Sequence, residues 1–533
     1  MLLQFMRGSE RLLSPLALSW LRRKLLMQFE LSLDNDPRAL PVVEAFTTQA
    51  LRQTALAAAD ADQLTALAMT AVQDAVAHAY PAGESGQIKL AIQAAAGQLE
   101  IRVRDFGLPQ AVGQMETRLQ AGESLRAWLR SAQQTNLVDE IHWLAFGPQG
   151  KALQLVKWLH KASVVENSPA AAIDKEAAAA PATTTSTKPA TPAPTAVPLA
   201  PPQQYAVRRL LPAEATQVSQ LMYRTYGTTY FNADVYYPER IASLNQQQAV
   251  LSVVAVAADG QVAAHCALER NQQGQVAEIG QAAVDPAHRG RGLLDRMKAV
   301  LEHEAQSLGL VGWYADAVTV HTFTQQSDAH HGGHVCGVDL AVSPQSESFR
   351  GIARQLAQRV SCVLYFRWLG DPAPRTLFVP PRHQEIATEI YANLQAPVEF
   401  GPLTAPTAEH GTHAVKLSAG KALGKIRASA LGRDSVYAIR HGVRSLVEQS
   451  RAEVVVVELP LADPACGYIV EQLAADGLGF TGIGPHFSPQ GDVLKLTYLV
   501  SALAREPIKT FEPFAARLVE YALAEQTRVR AGL

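Results

Sequence analysis

Residues 277–305 read AEIGQAAVDPAHRGRGLLDRMKAVLEHEA, and this stretch decides the fold of the larger part of the chain. It predicts a β-strand that ends at Val284-Asp285-Pro286 and an amphipathic helix that begins at Leu293. The loop between them is His288-Arg289-Gly290-Arg291-Gly292. Backbone N–H groups at a helix N-terminus bind anions, and small residues let the anion approach the backbone closely. The stretch therefore predicts a strand, an anion-binding loop and a helix in succession.

The segments around this unit are a mixture of strands and helices. In this context the loop resembles the pyrophosphate-binding R-x-x-G-x-G/A loop of the GNAT family of N-acetyltransferases, with Leu294 in place of the last small residue. A basic surface turn is the alternative for Arg-Gly-Arg-Gly alone. The resemblance implies a GNAT α/β domain over residues 205–345. Its strands are predicted at residues 205–210, 251–257, 262–269, 276–284 and 312–320.

The resemblance implies acetyl-CoA, or another acyl-CoA, as the co-substrate. Its pyrophosphate would contact the loop, and its thioester arm would lie between the fourth and fifth strands of the domain. The implied cofactor-binding residues are Ala283, Val284, Arg289, Gly290, Arg291, Gly292, Leu293 and Leu294.

In the family an amine attacks the thioester directly. This reaction needs a base for the ammonium group and a backbone N–H for the oxyanion. Glu278 lies on the fourth strand, where many relatives place the base, and a structural cross-strand role is its alternative. The oxyanion donor would be a backbone N–H near Ala282 or Ala283.

Relatives often carry a tyrosine that protonates the departing thiolate, a few residues before a Gly-Phe pair. The matching stretch, Ala329-His330-His331-Gly332-Gly333-His334, contains no tyrosine. His330 or His331 is therefore a candidate acid, and a surface role of the pair at a helix end is the alternative. His321, at the start of the same helix, is a further candidate.

Four tyrosines lie within residues 226–237, in the segment where GNAT enzymes form the wall that faces the acceptor. We expect a shaped pocket there, with Glu239 able to attract an amine, although core packing would explain some of these rings. The expected acceptor carries an amine. Its identity stays open among small amines, antibiotics, peptide N-termini and protein lysines.

Residues 28–162 are predicted to form a separate N-terminal module. Its order of helix, two strands, helix and two strands predicts a two-layer α+β sandwich. The motifs His78-Ala79-Tyr80 and Asp105-Phe106-Gly107 resemble the GHKL-type ATPase domain of anti-sigma-factor serine kinases. On that resemblance Asp105 would face the adenine amino group, with Gly107 beside it, and Asp74 stands at the position of the magnesium ligand.

This module lacks two features that the kinases need for catalysis. Thr70 stands at the position of the catalytic glutamate, and residues 110–134 lack the glycine-rich lid over the phosphates. Without that carboxylate, the proton of a substrate hydroxyl has no acceptor. We expect a degenerate copy that serves as an interaction or sensing surface for a protein partner. ATP binding with magnesium at Asp74 is the weaker alternative.

The last segment, residues 346–533, repeats the same element types without a cofactor motif. The stretch VVVVELPLADPACGYIVEQLAADGLGFTGIGP at 454–485 resembles the distal half of a GNAT fold. The nearest loop candidate, Gly432-Arg433-Asp434, lacks the second glycine. We expect a second, cofactor-free GNAT-like domain, and a separate α/β cap is the alternative.

Composition excludes several classes of protein. The 533 residues carry a net charge of −2, which does not indicate a nucleic acid partner. The four cysteines lack metal-ligand spacing, so no metal site is expected, and no apolar run is long enough to span a membrane. We therefore expect a cytoplasmic protein. Residues 1–27 are interpreted as an extension and the Ala-, Pro- and Thr-rich residues 163–204 as a disordered linker.

Together these features predict a multidomain protein of α/β and α+β domains. Its expected function is acyl-CoA-dependent N-acyl transfer, regulated by the ATPase-like module. Two alternatives stay open. One is a non-catalytic regulator of the partner-switching type that binds acyl-CoA, and the other is an active serine kinase with an acetyltransferase-like tail.

Overall fold

The computed structural model describes residues 27–54, 56–95, 97–111, 123–159, 201, 203–270, 274–347 and 356–531, without the side chains of 123–128. The chain divides into two compact units, residues 1–196 and 197–533. Residues 1–26 of the predicted extension, most of the predicted linker and residues 112–122 of the segment that lacks a lid lie outside the described residues.

The first unit is an α+β sandwich built on one antiparallel sheet, in the order β1-β2-β3-β5-β4. Ile88, Leu90 and Ile92 alternate along β2 and are fully buried, and they share one core with side chains of the helices. The predicted sandwich is confirmed, and β1 and α1 are additions to it. The strands are β1 Met27–Asp34, β2 Gln87–Ala95, β3 Gln98–Asp105, β4 Glu140–Ala145 and β5 Lys151–Trp158; the helices are α1 Leu40–Arg52, α2 Ala58–His78 and α3 Glu123–Gln134.

The second unit contains a long mixed sheet flanked by helices. The strands of this unit are β6 Ala206–Arg209, β7 Val250–Val256, β8 Val262–Arg270, β9 Val276–Val284, β10 Gly312–Val318, β11 His334–Ser343, β12 Val360–Trp368, β13 Arg375–Leu377, β14 Val398–Phe400, β15 Thr412–Ser418, β16 Leu423–Ala430, β17 Val454–Pro460, β18 Gly479–Ser488 and β19 Gly491–Leu499. Strands β13 and β14 form a separate two-stranded sheet. Its helices are α4 Ala215–Tyr226, α5 Pro238–Gln246, α6 Leu293–Ser307, α7 Phe323–His330, α8 Pro381–Asn393, α9 Ser435–Arg444, α10 Cys466–Ala474 and α11 Pro513–Ala531.

The long sheet consists of two halves that meet at β11 and β18. The first half, β6 to β12, has the order β6-β7-β8-β9-β10-β12-β11, and the second half, β15 to β19, has the order β18-β19-β17-β16-β15. Strands β11 and β18 pair in antiparallel orientation at Gly337 and Gly482. A Cβ on Gly482 would lie 2.3 Å from the Cα of Gly337, so this close approach requires glycine.

The second half repeats the element order of the first. Strands β15 and β16, helix α9, strand β17, helix α10 and strands β18 and β19 correspond to β8, β9, α6, β10, α7, β11 and β12. The pairings also repeat, including one parallel pair in each half, β9 with β10 and β16 with β17. The predicted boundary after residue 345 falls between β11 and β12, and we assign β12 to the first half because it lies between β10 and β11 in the sheet.

Among the residues that the structure describes, none of the helices has both the length and the apolar character needed to cross a bilayer.

Candidate functional site

The loop that follows β9 is fixed at its base by an aspartate. One oxygen of Asp285 accepts a hydrogen bond of 3.1 Å from a backbone N–H of the turn Pro286–His288, and the other lies 3.0 Å from Nε of Arg224. Gly290 and Gly292 follow with φ values of +72° and +63°, in the left-handed region that favours glycine. A Cβ on either glycine would meet no atom within 4 Å. Free space therefore borders the loop at both glycines.

Helix α6 begins directly after Gly292, and no side chain caps its N-terminus. The first backbone N–H groups of a helix have no acceptor within the helix, and the helix dipole makes this end positive. Leu293 and Leu294 carry two of these groups. The other predicted cofactor-binding residues, Ala283, Val284, Arg289 and Arg291, lie on the end of β9 and on the loop. The arrangement suits a pyrophosphate group, and contact with acyl-CoA stays a prediction.

Strands β9 and β10 separate beyond their first residues. They pair in parallel at three positions, Gly312 with Val276, Trp313 with Ala277, and Tyr314 with Glu278, and in the described residues no later pair follows. A cavity of about 170 Å³ occupies the opening between the two strands. Its lining includes Tyr226, Tyr230, Glu278, Gln281, Ala282, Asp316, His321, Glu347 and Lys421.

A bulge in β9 shapes the wall of this cavity. Gln281 has a φ of +51°, and the register between β8 and β9 shifts next to it. The ring of His265 donates through Nδ1 to the carbonyl of Gln281 at 2.9 Å, and the hydroxyl of Tyr226 donates to the carbonyl of Ala282 at 2.6 Å. These bonds hold the bulge in place. The role of a backbone N–H near Ala282 or Ala283 as an oxyanion donor stays a prediction.

Glu278 lies on β9 at the point where the strands separate. Its cross-strand partner on β8 is a second carboxylate, Glu269. A Cβ on Gly280 would lie 3.1 Å and 3.2 Å from the nearer oxygens of these two side chains. The hydroxyl of Tyr314 donates to Glu278 at 3.4 Å. Burial, followed by the charge of Glu269, raises the pKa of Glu278 to about 7, while Lys421 acts in the opposite direction.

Of the histidines proposed as acids, His321 and His331 lie in different surroundings. His321 lines the cavity, where burial and then Lys509 lower its pKa to about 4. Its imidazole is therefore neutral near pH 7 and lacks the acidic proton of an imidazolium. His331 is not among the described residues that line the cavity. Its Nε2 lies 3.7 Å from Asp295, and its carbonyl accepts a hydrogen bond from Arg367.

An aromatic wall closes one side of the cavity. The rings of Tyr226 and Tyr230 lie 4.8 Å apart between centroids, and those of Tyr230 and Phe231 lie 4.6 Å apart. The ammonium group of Lys421, from the second half, lies 3.4 Å from the centroid of Phe231. Glu239 is exposed and is not one of the described lining residues.

Sequence reasoning missed Glu269, Glu347 and Lys421. Glu269 could have been predicted from the sequence, because counting outward from the turn between β8 and β9 places it opposite Glu278. Lys421 gave no signal, because it reaches the cavity only through the packing of the two halves.

The corresponding loop of the second half is blocked by the chain itself. The backbone N–H groups of Arg433 and Asp434 donate to the carbonyls of Ala408 and Glu409 at 2.9 Å and 3.3 Å. The carboxylate of Asp434 accepts from the backbone N–H of Gly411 at 2.7 Å. These groups are therefore not free to bind a phosphate.

The strands of the second half also stay closed where those of the first half open. Strands β16 and β17 pair at five consecutive positions. The carboxylate of Glu458, fully buried on β17, lies 2.5 Å from Lys425 and 2.6 Å from Arg427. Although burial opposes ionisation, these two cations hold the pKa of Glu458 at about 2. The second half therefore lacks both features of the site in the first half.

In the N-terminal unit, Asp105 is buried in an ion pair. Nζ of Lys151 lies 2.5 Å from its carboxylate and donates to the carbonyl of Leu108 at 2.9 Å. A Cβ on Gly107 would lie 1.8 Å from the carbonyl oxygen of Ala79, so this glycine is required by packing.

The remaining residue expected to bind nucleotide lies on α2. Asp74 is exposed there. The hydroxyl of Thr70, one turn earlier, donates to the carbonyl of Ala66 at 2.9 Å. Nucleotide binding at Asp74, Asp105 and Gly107 stays a prediction.

Two family models match the chain. Residues 216–324 match the model of the acetyltransferase (GNAT) family, and residues 33–157 match the model of the histidine kinase-like ATPase domain. Both resemblances inferred from the sequence are confirmed in these ranges. No curated protein matches the chain at a significant level.

Several solved structures match part of the chain. They include an N-acetyltransferase from Staphylococcus aureus Mu50, with 15% identity, a TM-score of 0.26 and coverage of 31% of this chain and 99% of that chain. A ribosomal-protein-S5-alanine acetyltransferase from Vibrio fischeri shares 12% identity, with a TM-score of 0.26 and coverage of 32% and 95%. A phosphinothricin acetyltransferase from Sinorhizobium meliloti in complex with AcCoA shares 16% identity, with a TM-score of 0.25 and coverage of 31% and 89%.

Proposed function

We propose that the chain is an acyl-CoA-dependent N-acyltransferase, with acetyl-CoA as the expected donor and an amine as the acceptor. The observation that carries the proposal is the position of Glu278 in the cavity between β9 and β10. The same strand leads into the loop at residues 289–292, so one strand connects a candidate base to a candidate pyrophosphate site.

The cofactor would be held at two places. Backbone N–H groups at the start of α6 and the side chains of Arg289 and Arg291 suit the pyrophosphate. The opening between β9 and β10 suits the thioester arm, because the unpaired backbone of separated strands offers hydrogen bonds to the amides of that arm. A backbone N–H at the bulge of β9, near Ala282, would bind the oxyanion.

Glu278 would begin the reaction by accepting a proton from the ammonium group of the acceptor. The free amine then attacks the thioester carbonyl, a C–N bond forms, and the C–S bond breaks as the tetrahedral intermediate collapses. The second proton of the amine passes to the departing thiolate, so that the products are an amide and free CoA. This balance requires no separate acid, which agrees with the neutral state of His321. A pKa near 7 suits a base that works at neutral pH.

The N-terminal unit would regulate this activity or connect it to a protein partner. Asp105, the residue expected to face adenine, already has a buried cationic partner in Lys151. This ion pair favours the interpretation of the unit as a surface for a protein rather than as a kinase. The second candidate function, a non-catalytic regulator that binds acyl-CoA, rests on the same observation.

Two measurements on the full chain test the proposal. Acetyl-CoA should raise the midpoint of thermal unfolding, and Gly292→Trp should abolish this shift by filling the space beside the loop. A panel of amines should then include acceptors that release free thiol from acetyl-CoA. Binding without thiol release for any amine would favour the regulator, and absence of binding would refute both functions.

A further inference from the structure

The cavity between β9 and β10 is lined by more carboxyl groups than cationic groups. Glu278, Asp316 and Glu347 line it. Two cations also line the cavity, but Lys298 lies 2.5 Å from Asp328 and is neutralised in that buried pair. Lys421 is therefore left as a single ammonium group facing three carboxyl groups in the described lining.

Glu347 differs from the other carboxyl groups of this cavity. Its side chain is 6% exposed, and its Oε2 has no hydrogen-bond partner among the described residues. Burial raises the pKa of Glu347 to about 6, although the charge of Lys421 and a hydrogen bond with Ser343 act in the opposite direction. A buried carboxylate oxygen without a partner is costly. Such an oxygen in the wall of a cavity is a position where water or a ligand can supply the missing donor.

The chemistry of the wall indicates a cationic ligand. The ammonium of Lys421 over the ring of Phe231 shows that this wall accommodates a cation against an aromatic face. The cavity has a volume of about 170 Å³. A short unbranched chain fits a space of this size.

We propose that the acceptor is a small diamine or polyamine, whose reacting amine lies at Glu278 and whose second ammonium group binds Glu347. The inference rests on the proposed function and adds the substrate class to it. Transfer of the acyl group converts one ammonium group to an amide and leaves the other charged, so the product has lost one of its two ionic contacts. The product should therefore bind more weakly than the substrate.

The test compares two amines that differ by a single ammonium group. The full chain is assayed for thiol release from acetyl-CoA with 1,4-diaminobutane and with n-butylamine, which has the same carbon chain. We expect kcat/KM for the diamine to exceed that for butylamine by at least about tenfold, as a charge-assisted hydrogen bond requires. Equal values for the two amines would refute the proposal.

Glu347→Gln identifies the group that binds the second ammonium. This variant keeps the shape of the side chain and should lower kcat/KM for the diamine at least about tenfold more than that for butylamine. Glu399→Gln, at an exposed position on β14, should leave the ratio unchanged. A thermal midpoint close to that of the wild type shows that the Glu347→Gln chain is folded. An equal loss for both amines would contradict the assignment.

Binding without turnover separates this inference from the proposed function. Calorimetric titration of the full chain, loaded with CoA, should show binding of 1,4-diaminobutane that Glu347→Gln weakens. If this binding occurs and no thiol is released in the assay, the ligand class stands and the enzymatic function fails. If thiol is released only with monoamines or with protein lysines, the enzymatic function stands and the diamine proposal fails.

Discussion

The ammonium group of Lys421 lies 3.4 Å from the centroid of the Phe231 ring, which places a residue of the second half in the cavity of the first half. Arg359 fixes this position by donating to the carbonyls of Lys421 and Ala341, each at 2.7 Å. The second half, whose own loop is blocked, therefore contributes to the candidate active site through one side chain.

Lys421→Met should shift the pH dependence of acyl transfer to higher pH. Glu278 accepts a proton only when it is ionised, so kcat/KM should fall as the pH drops below its pKa of about 7. The positive charge of Lys421 lowers that pKa, and its removal raises it further. The pH profile of kcat/KM measures the shift. Lys416→Met, at an exposed position on β15, is the matched control, and an unchanged profile in Lys421→Met would contradict the electrostatic role.

Gly292→Ala should weaken acetyl-CoA binding by more than the accompanying loss of folding stability can explain. Alanine in the left-handed region costs about 1 kcal/mol, and its methyl group would enter the space beside the loop. We expect the dissociation constant, measured by calorimetry, to rise at least about tenfold.

Gly309 provides the control for that change. It follows the other end of α6, has a φ of +68°, and would also place a Cβ in open space. Gly309→Ala should lower the thermal midpoint by a similar amount and leave the dissociation constant unchanged. Equal weakening by both substitutions would show that the loop does not bind the cofactor.

Each chain should bind a single molecule of acetyl-CoA. The loop of the second half donates its N–H groups to residues 408 and 409, and β16 and β17 remain paired where β9 and β10 separate. Equilibrium dialysis of the full chain gives the number of sites directly. Two bound molecules per chain would refute the assignment of the site to the first half. So would one bound molecule per chain in the Gly292→Trp variant.

Lys151→Met should destabilise the N-terminal unit. The substitution leaves Asp105 buried without its cationic partner, which costs about 3–5 kcal/mol. Denaturant unfolding of the full chain measures the loss as a lower free energy of unfolding in the transition that belongs to this unit. The double variant Asp105→Asn with Lys151→Met should recover most of the lost stability. A loss within about 1 kcal/mol would mean that the pair contributes no more than a surface pair.

The sequence was sufficient to predict the elements whose structure is determined by a local pattern of residues. The strand, loop and helix of residues 277–305 were predicted within a few residues, because alternation, glycines and helical spacing are local signals. Strand β1 was missed although Phe29, Leu31 and Leu33 alternate in it, because the start of the folded module was uncertain.

The place of β12 in the first half could not be predicted from the sequence, for a non-local reason. Strand β12 lies between β10 and β11, and the residues of one strand do not determine which strands it pairs with. The ion pair of Asp105 with Lys151 and the approach of Lys421 to Phe231 were equally inaccessible, since each joins residues far apart in the chain.

The most direct test of the proposed function is thiol release from acetyl-CoA by the full chain and its Glu278→Gln variant, with a responsive amine at saturating cofactor. The wild type should release thiol only when the amine is present. Glu278→Gln should lower kcat by about 100- to 10,000-fold while the dissociation constant of acetyl-CoA stays unchanged. Undiminished turnover in Glu278→Gln would contradict the account of the site.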